Sequence, residues 1–285
     1  MFRFPLVIVG KLLGAKIVIH EQTSSIGLTN KILQYWADVI VLTYESSLPY
    51  FRKKALVLGS PTMKHIYSIS DYEHLLGYLK KEKSRLLDET EYLEKLKWLE
   101  DQKNTSPILL MSGGSQGSHF LNEQIRPILN KLLQHMIVVI QVGENEYYND
   151  YAKFTEYLKA LPAELSQKLI IRKFVYEEFG FLMKKATLFL GRSGANTVYQ
   201  VGLNGLFAVF VPIPWVTKNE QYTNAMILKA RGKADIIDQD RCTSEVLYEV
   251  LSDALQKAQA DTERKSLFSA EADRLLAKEI AKLAV

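Results

Sequence analysis

The most definite chemistry in this 285-residue sequence lies in two glycine-rich turns. The first, Ser112-Gly-Gly-Ser-Gln-Gly-Ser118, directly follows the apolar run Ile108–Met111 and precedes a helical pattern. Gly113, Gly114 and Gly117 let the backbone turn tightly and come close to a ligand. Ser115, with Gln116 beside it and the free amides of a helix N-terminus, suits an anion such as phosphate. The turn lacks the Gly-Lys-Ser/Thr ending of a Walker loop and is no clean G-x-G-x-x-G. The second turn is Gly191-Arg-Ser-Gly-Ala-Asn-Thr197. Its small residues admit a sugar or phosphate against another helix N-terminus, and Arg192 either adds positive charge there or faces solvent. A third stretch, Lys218–Asn224, offers Glu220, Gln221 and Asn224, donors and acceptors of the kind that read sugar hydroxyls. Two such turns facing one cleft suit a ligand with a nucleotide diphosphate body.

Other chemistry is thinner. His20 and Glu21 form a candidate acid/base pair, but neighbours on a strand point to opposite faces, so at most one meets a cleft directly. The histidines show no metal-ligand spacing with one another or with Cys242, and no metal is expected. One cysteine excludes an internal disulfide framework and leaves a reducing cytoplasm as the default. With 36 basic and 32 acidic residues, no domain-scale positive excess points to nucleic acid.

The elements that must position these turns follow from periodicity. Strands are predicted at 17–20, 39–43 and 55–59, and six more at 108–112, 137–142, 169–175, 186–191, 207–212 and 234–238. Helical patterns fill most intervals. The prediction is an α/β protein with a C-terminal doubly wound Rossmann-like domain and a partial N-terminal one. Ligands of such sheets bind at the carboxyl ends of strands, where all three stretches lie. Between the two units, 14 of the 24 residues from Lys80 to Lys103 are charged, with leucines threaded among them. That reads as a helical linker with a solvated face and no chemistry. The predicted divisions are 1–59, 60–105, 106–262 and 263–285, the last holding an amphipathic helix. The apolar start, residues 5–19, reads as a short buried helix and strand. The weaker alternative is a membrane-surface patch, given Arg3, Lys11 and Lys16.

Taken together, His20-Glu-Gln, Gly27-Leu-Thr-Asn-Lys31, Gly113-Gly-Ser-Gln-Gly117, Arg192-Ser-Gly-Ala195 and Asn219-Glu-Gln-x-x-Asn-Ala225 resemble the MurG family in order and spacing. That family has the GT-B fold and moves N-acetylglucosamine from its UDP donor to lipid I, giving lipid II of peptidoglycan. The resemblance implies an inverting, metal-independent transferase with UDP-N-acetylglucosamine as donor substrate and no cofactor. It implies a lipid-linked acceptor and a cytoplasmic protein peripheral at the inner face of the cell membrane. Position by position, Ser115 would contact the diphosphate, Phe174 and Val175 would hold uracil, and Gly194 to Tyr199, including Ala195, Asn196 and Thr197, would line the nucleotide beside Ser193. Gln221, with Glu220, would meet the sugar hydroxyls; Thr23 stands where relatives have an Asn, and Asn30 lies in the same loop. The chain departs from the family at Met63, in place of an Arg, and at Gln200, in place of the Glu that grips the ribose. It also lacks about the first hundred residues of the family, with their Gly-rich loop and proposed base. Hence Glu21 or His20 is only a substitute base, and a partner protein could supply the missing part. A non-catalytic UDP-sugar-binding subunit and a transferase for another sugar or acceptor stay open as alternatives.

Overall fold

Runs such as Ile108-Leu-Leu-Met111 and Ile137-Val-Val-Ile140 are apolar at every position, the pattern of parallel strands covered on both faces. A computed structural model describes residues 3–102, 106–114, 116–216, 219–261 and 263–283. Among these, nine strands form two parallel sheets. The smaller sheet holds β1 (Val18–Glu21), β2 (Val39–Leu42) and β3 (Leu56–Val57) in that order. The larger holds β4 (Ile108–Ser112), β5 (Ile137–Gln141), β6 (Leu169–Arg172), β7 (Leu188–Gly191), β8 (Phe207–Phe210) and β9 (Ala234–Ile236). Its order is β6-β5-β4-β7-β8-β9, so the winding reverses between β4 and β7. A crevice opens at the carboxyl ends of strands at such a reversal.

The pleat sorts the core. Ile108, Leu110, Ile137 and Val139 enter one apolar layer, and Leu109, Met111, Val138 and Ile140 the other. The second layer is closed by the helices His119–Ile125, Leu129–His135 and Ser244–Ala260. The first holds a correction to the sequence reading. Leu75, Leu79, Leu96 and Leu99 are fully buried in it beside Ile108 and Ile170. The helices Tyr72–Glu82 and Thr90–Gln102 therefore cover one face of the large sheet and are no solvated linker. Their charges decorate the outer side, while spacings of three and four residues keep the leucines in one stripe.

The N-terminal helix, Arg3–Leu12, departs from expectation in the opposite sense. Among its described side chains Val7 alone packs on the core of the small sheet, whereas Leu6, Leu12 and the following Leu13 are about four-fifths exposed. No helix among the described residues is long and apolar enough to cross a membrane.

The two sheets meet at Gly59, which leaves β3 with a left-handed φ of +91°. A Cβ there would lie 2.4 Å from the Tyr199 hydroxyl and 3.2 Å from Ala272, so only glycine lets the chain pass. Tyr199 stacks on Phe268 at 4.8 Å and donates to the Ser269 carbonyl at 2.8 Å. The C-terminal segment and its helix, Ala272–Ala281, are thereby held at the junction.

Candidate functional site

The glycine-rich turn after β4 is shaped by close approach to the end of β5. Gly117 (φ +74°) has no room for a Cβ, which would lie 2.2 Å from the Val142 carbonyl oxygen. Gly143 (φ +82°) is its counterpart, facing the Gln116 carbonyl at 2.5 Å. A Cβ on Gly113 would meet the Ser118 amide nitrogen at 2.3 Å. Polar groups then fix the turn: Ser112 Oγ donates to Gln141 Oε1 (3.1 Å), and Gln141 Nε2 donates to the Gly114 carbonyl (3.0 Å). Gln141 is buried at the carboxyl end of β5, and no sequence motif points to it. The one trace in sequence is a lone amide within an apolar run. Ser115 and Lys218 lie outside the described residues.

The second turn is braced from beneath. Arg192 is buried, donating from Nε to Ser118 Oγ (3.0 Å) and from Nη1 to the Val211 carbonyl (2.7 Å). It ties together the exits of β4, β7 and β8. Burial pulls its pKa down to about 10. Its place under the loops corrects the solvated alternative for Arg192. Ser193 and Asn224 are wholly buried too, Asn224 Nδ2 donating to the Ser193 carbonyl (3.3 Å). Asn224 thus braces the turn through its backbone, and neither residue is among those lining the cleft between the two turns. Gly194 caps the helix Ala195–Leu203, whose N-terminus opens toward the glycine turn.

Between these turns lies a cleft of about 630 Å³. Gly114, Gln141, Asn196, Thr197 and Gln200 line one part of it, and Phe174 and Val175 another. Met63, His65, Ile66 and Tyr78 also line it, and of these only Met63 was singled out by its position.

The other candidates lie where the small sheet approaches β8. Glu21 is buried, and its own loop occupies both carboxylate oxygens. Oε1 accepts from the Thr23 amide (3.2 Å) and hydroxyl (2.9 Å), and Oε2 from the Gly27 amide (2.9 Å) and Asn30 Nδ2 (3.0 Å). The carboxylate is the post on which the Glu21–Asn30 loop is wound, a role that competes with the substitute base the resemblance offers at this position. Thr23 and Asn30 are spent largely on the same post. His20 Nε2 sits 3.1 Å from both the Gly59 carbonyl and Thr43 Oγ1, and burial holds its pKa below the ordinary value. Glu220 faces this loop; burial, then the Glu21 charge, pushes its carboxyl above the usual range. Gln221 Oε1 accepts from the Ile213 amide (3.1 Å), fixing the turn between Pro212 and Pro214.

The fold also gathers His119, Glu123 and Asp150, which no sequence spacing revealed. His119 Nδ1 pairs with Asp150 Oδ1 at 2.9 Å, and its ring stacks on Tyr148 at 3.6 Å. Arg126 and Lys153 answer the carboxylates, Arg126 at 2.9 Å from Glu123. The group is a self-neutralised network.

Residues 108–280, more than half of the chain, match the model of the glycosyltransferase family 28 C-terminal domain. The chain belongs to glycosyltransferase family 28. Among its family 28 relatives, the UDP-N-acetylglucosamine--N-acetylmuramyl-(pentapeptide) pyrophosphoryl-undecaprenol N-acetylglucosamine transferase of Exiguobacterium sibiricum is 26% identical over 266 residues. That alignment covers 92% of this chain and 65% of the relative. The enzyme of the same name from Desulforamulus reducens is 29% identical, with 88% and 62% covered. The chain thus spans less than two thirds of the length of these curated relatives. Acinetobacter baumannii MurG superposes with a TM-score of 0.69 at 24% identity, covering 97% of this chain and 69% of that one. A putative UDP-N-acetylglucosamine 2-epimerase from Listeria monocytogenes gives 0.61 at 12% identity, with 98% and 71% covered. These likenesses show the GT-B-type pairing of Rossmann-like sheets.

Proposed function

We propose that this family 28 chain binds UDP-N-acetylglucosamine and takes part in moving its sugar to a lipid-linked acceptor, the lipid I to lipid II step, a reading supported by relatives named as N-acetylglucosamine transferases acting on a pyrophosphoryl-undecaprenol. The observation that carries the reading is the convergence of the two turns on one cleft at the β4/β7 reversal. The diphosphate would lie against Gly113–Gly117 and the N-terminus of the Ala195–Leu203 helix, where the amides of the first helical turn and the helix dipole favour negative charge. Charge grows there as UDP departs, so the same amides stabilise the transition state. The base would lie along Phe174 and Val175, and Gln200 and Thr197 would serve the ribose. Glu220 and Gln221, on the side of the small sheet, would meet the sugar. Inversion requires the acceptor hydroxyl to attack the anomeric carbon opposite UDP while a base removes its proton.

Glu21 and His20 are already engaged in their own loops. In this reading the base comes from a polypeptide corresponding to the part of the relatives that the chain does not span. The same observation favours a second reading, a UDP-sugar-binding subunit without turnover. At the membrane, exposed Leu6, Leu12 and Leu13 beside Lys11 and Lys16 support a peripheral attachment of the small lobe.

The test is transfer of radiolabelled N-acetylglucosamine from UDP to a polyprenyl-diphosphate muramyl-peptide. The chain would be assayed alone and with the N-terminal third of a relative added. Labelled lipid in either arm supports the transferase. Donor binding with no labelled lipid in both arms replaces it by the non-catalytic reading.

A further inference from the structure

One wall of the cleft is built outside residues 108–280, by the segment that sequence reading treats as a linker. His65 begins the short helix His65–Ser68, seated so closely on the next layer that a Cβ on Gly180 would lie 2.1 Å from its carbonyl oxygen. Tyr78 lies in the helix Tyr72–Glu82, which Leu75 and Leu79 anchor to the sheet. The Tyr78 hydroxyl is 3.2 Å from His65 Nδ1, and the two rings lie 5.3 Å apart. A hydrogen-bonded donor–acceptor pair therefore stands in a wall whose other members are Met63 and Ile66.

The cleft is polar end to end in a definite sense. Gly114, Gln141 and Asn196 mark the glycine-turn end, and Phe174 and Tyr176, stacked at 5.7 Å, mark the aromatic end. A nucleotide with its phosphates at the glycine turn places its base at that aromatic end, within the wall that carries His65 and Tyr78. The same segment also locks the aromatic loop. Ser84 Oγ donates to Glu177 (3.0 Å), Tyr92 OH to Glu178 (3.1 Å), and Arg172 pairs with Glu89 while lying 3.9 Å over the Tyr92 ring.

We infer that the His65–Tyr78 pair reads the polar edge of the donor's pyrimidine base, so that the helical segment before β4 sets nucleotide specificity. The inference rests on the cleft being the UDP-sugar site. Uracil presents an N–H between two carbonyls, whereas cytosine presents an amino group beside an unprotonated nitrogen. A site whose hydrogen bonds fit one leaves groups unpaired against the other.

Calorimetry of UDP and CDP against the wild type, Tyr78→Phe and His65→Gln tests this. The wild type should prefer UDP by about tenfold or more. Tyr78→Phe, which keeps the ring and the packing, should weaken UDP about three- to tenfold and leave CDP nearly unchanged. His65→Gln should move the ratio in the same direction. Equal losses for UDP and CDP in both variants, or no loss in folded protein, overturn base reading and leave the donor-site assignment standing. Failure of the wild type to bind either nucleotide overturns both.

Discussion

At the scale of single residues, the site depends on groups that brace its loops as much as on those lining it. Gly117 is the sharpest case, because any side chain there collides with the Val142 carbonyl in a left-handed backbone. Gly117→Val is expected to lower UDP-N-acetylglucosamine affinity by at least about tenfold while far-UV circular dichroism stays native. Arg192→Met should act through stability. It leaves the buried Val211 carbonyl unpaired, costing about 1–3 kcal/mol, read as a lower thermal midpoint together with weaker donor binding. The glycines were legible because a phosphate turn demands their backbone freedom. The bracing role of Glu21 was not legible, because its type and place fit a substitute base equally well. Only the folded loop shows that Thr23, Gly27 and Asn30, all within nine residues of it, consume both its oxygens. Gln141 acts through contacts made by the fold 27 residues away in sequence, at Gly114, which no spacing motif encodes.

At the scale of elements, strand positions were readable almost throughout, since continuous β-branched and leucine runs have few other uses in a sheet covered on both faces. Strand ends were less so. The predicted strand at 169–175 stops at Arg172, and Phe174 and Val175 go instead to the cleft loop. The charged segment was misjudged because charge dominates its composition while its leucine stripe is the feature that meets the sheet. Leu96→Ala should therefore cost about 2–5 kcal/mol in chemical denaturation, a core value rather than a linker value. The junction between sheets gives a pH prediction. Burial depresses the His20 pKa below 6.5, so the unfolded chain binds more protons than the folded one as the solution is acidified. The neutral-ring contribution is complete above about pH 6.5 and is lost as pH falls through the lower, folded-state value. Thermal midpoints should drop between pH 7.5 and 5.5, and less steeply in His20→Gln.

At the scale of the whole molecule, two parallel sheets meet through Gly59, Tyr199 and the returning C-terminal segment. The crevice lies at the β4/β7 reversal of the larger sheet, and the Glu21 charge of the smaller sheet acts on Glu220 of the larger unit. The small sheet carries an exposed apolar ridge on its N-terminal helix, where the sequence favours burial over a membrane surface. Burial was favoured there because an apolar run is usually core; the fold covers only one side of this helix, through Val7. Leu12→Asp combined with Leu13→Asp should abolish cosedimentation with anionic phospholipid vesicles without changing donor affinity, since neither residue lines the cleft. The central claim is that the cleft between the two glycine-rich turns is a UDP-sugar site. Titration calorimetry of the whole chain with UDP-N-acetylglucosamine, alongside UDP-glucose and UDP-N-acetylgalactosamine, addresses it most directly. The account predicts saturable binding that favours UDP-N-acetylglucosamine and is lost in Gly117→Val. Absence of binding in demonstrably folded protein, or equal binding in Gly117→Val, would contradict it.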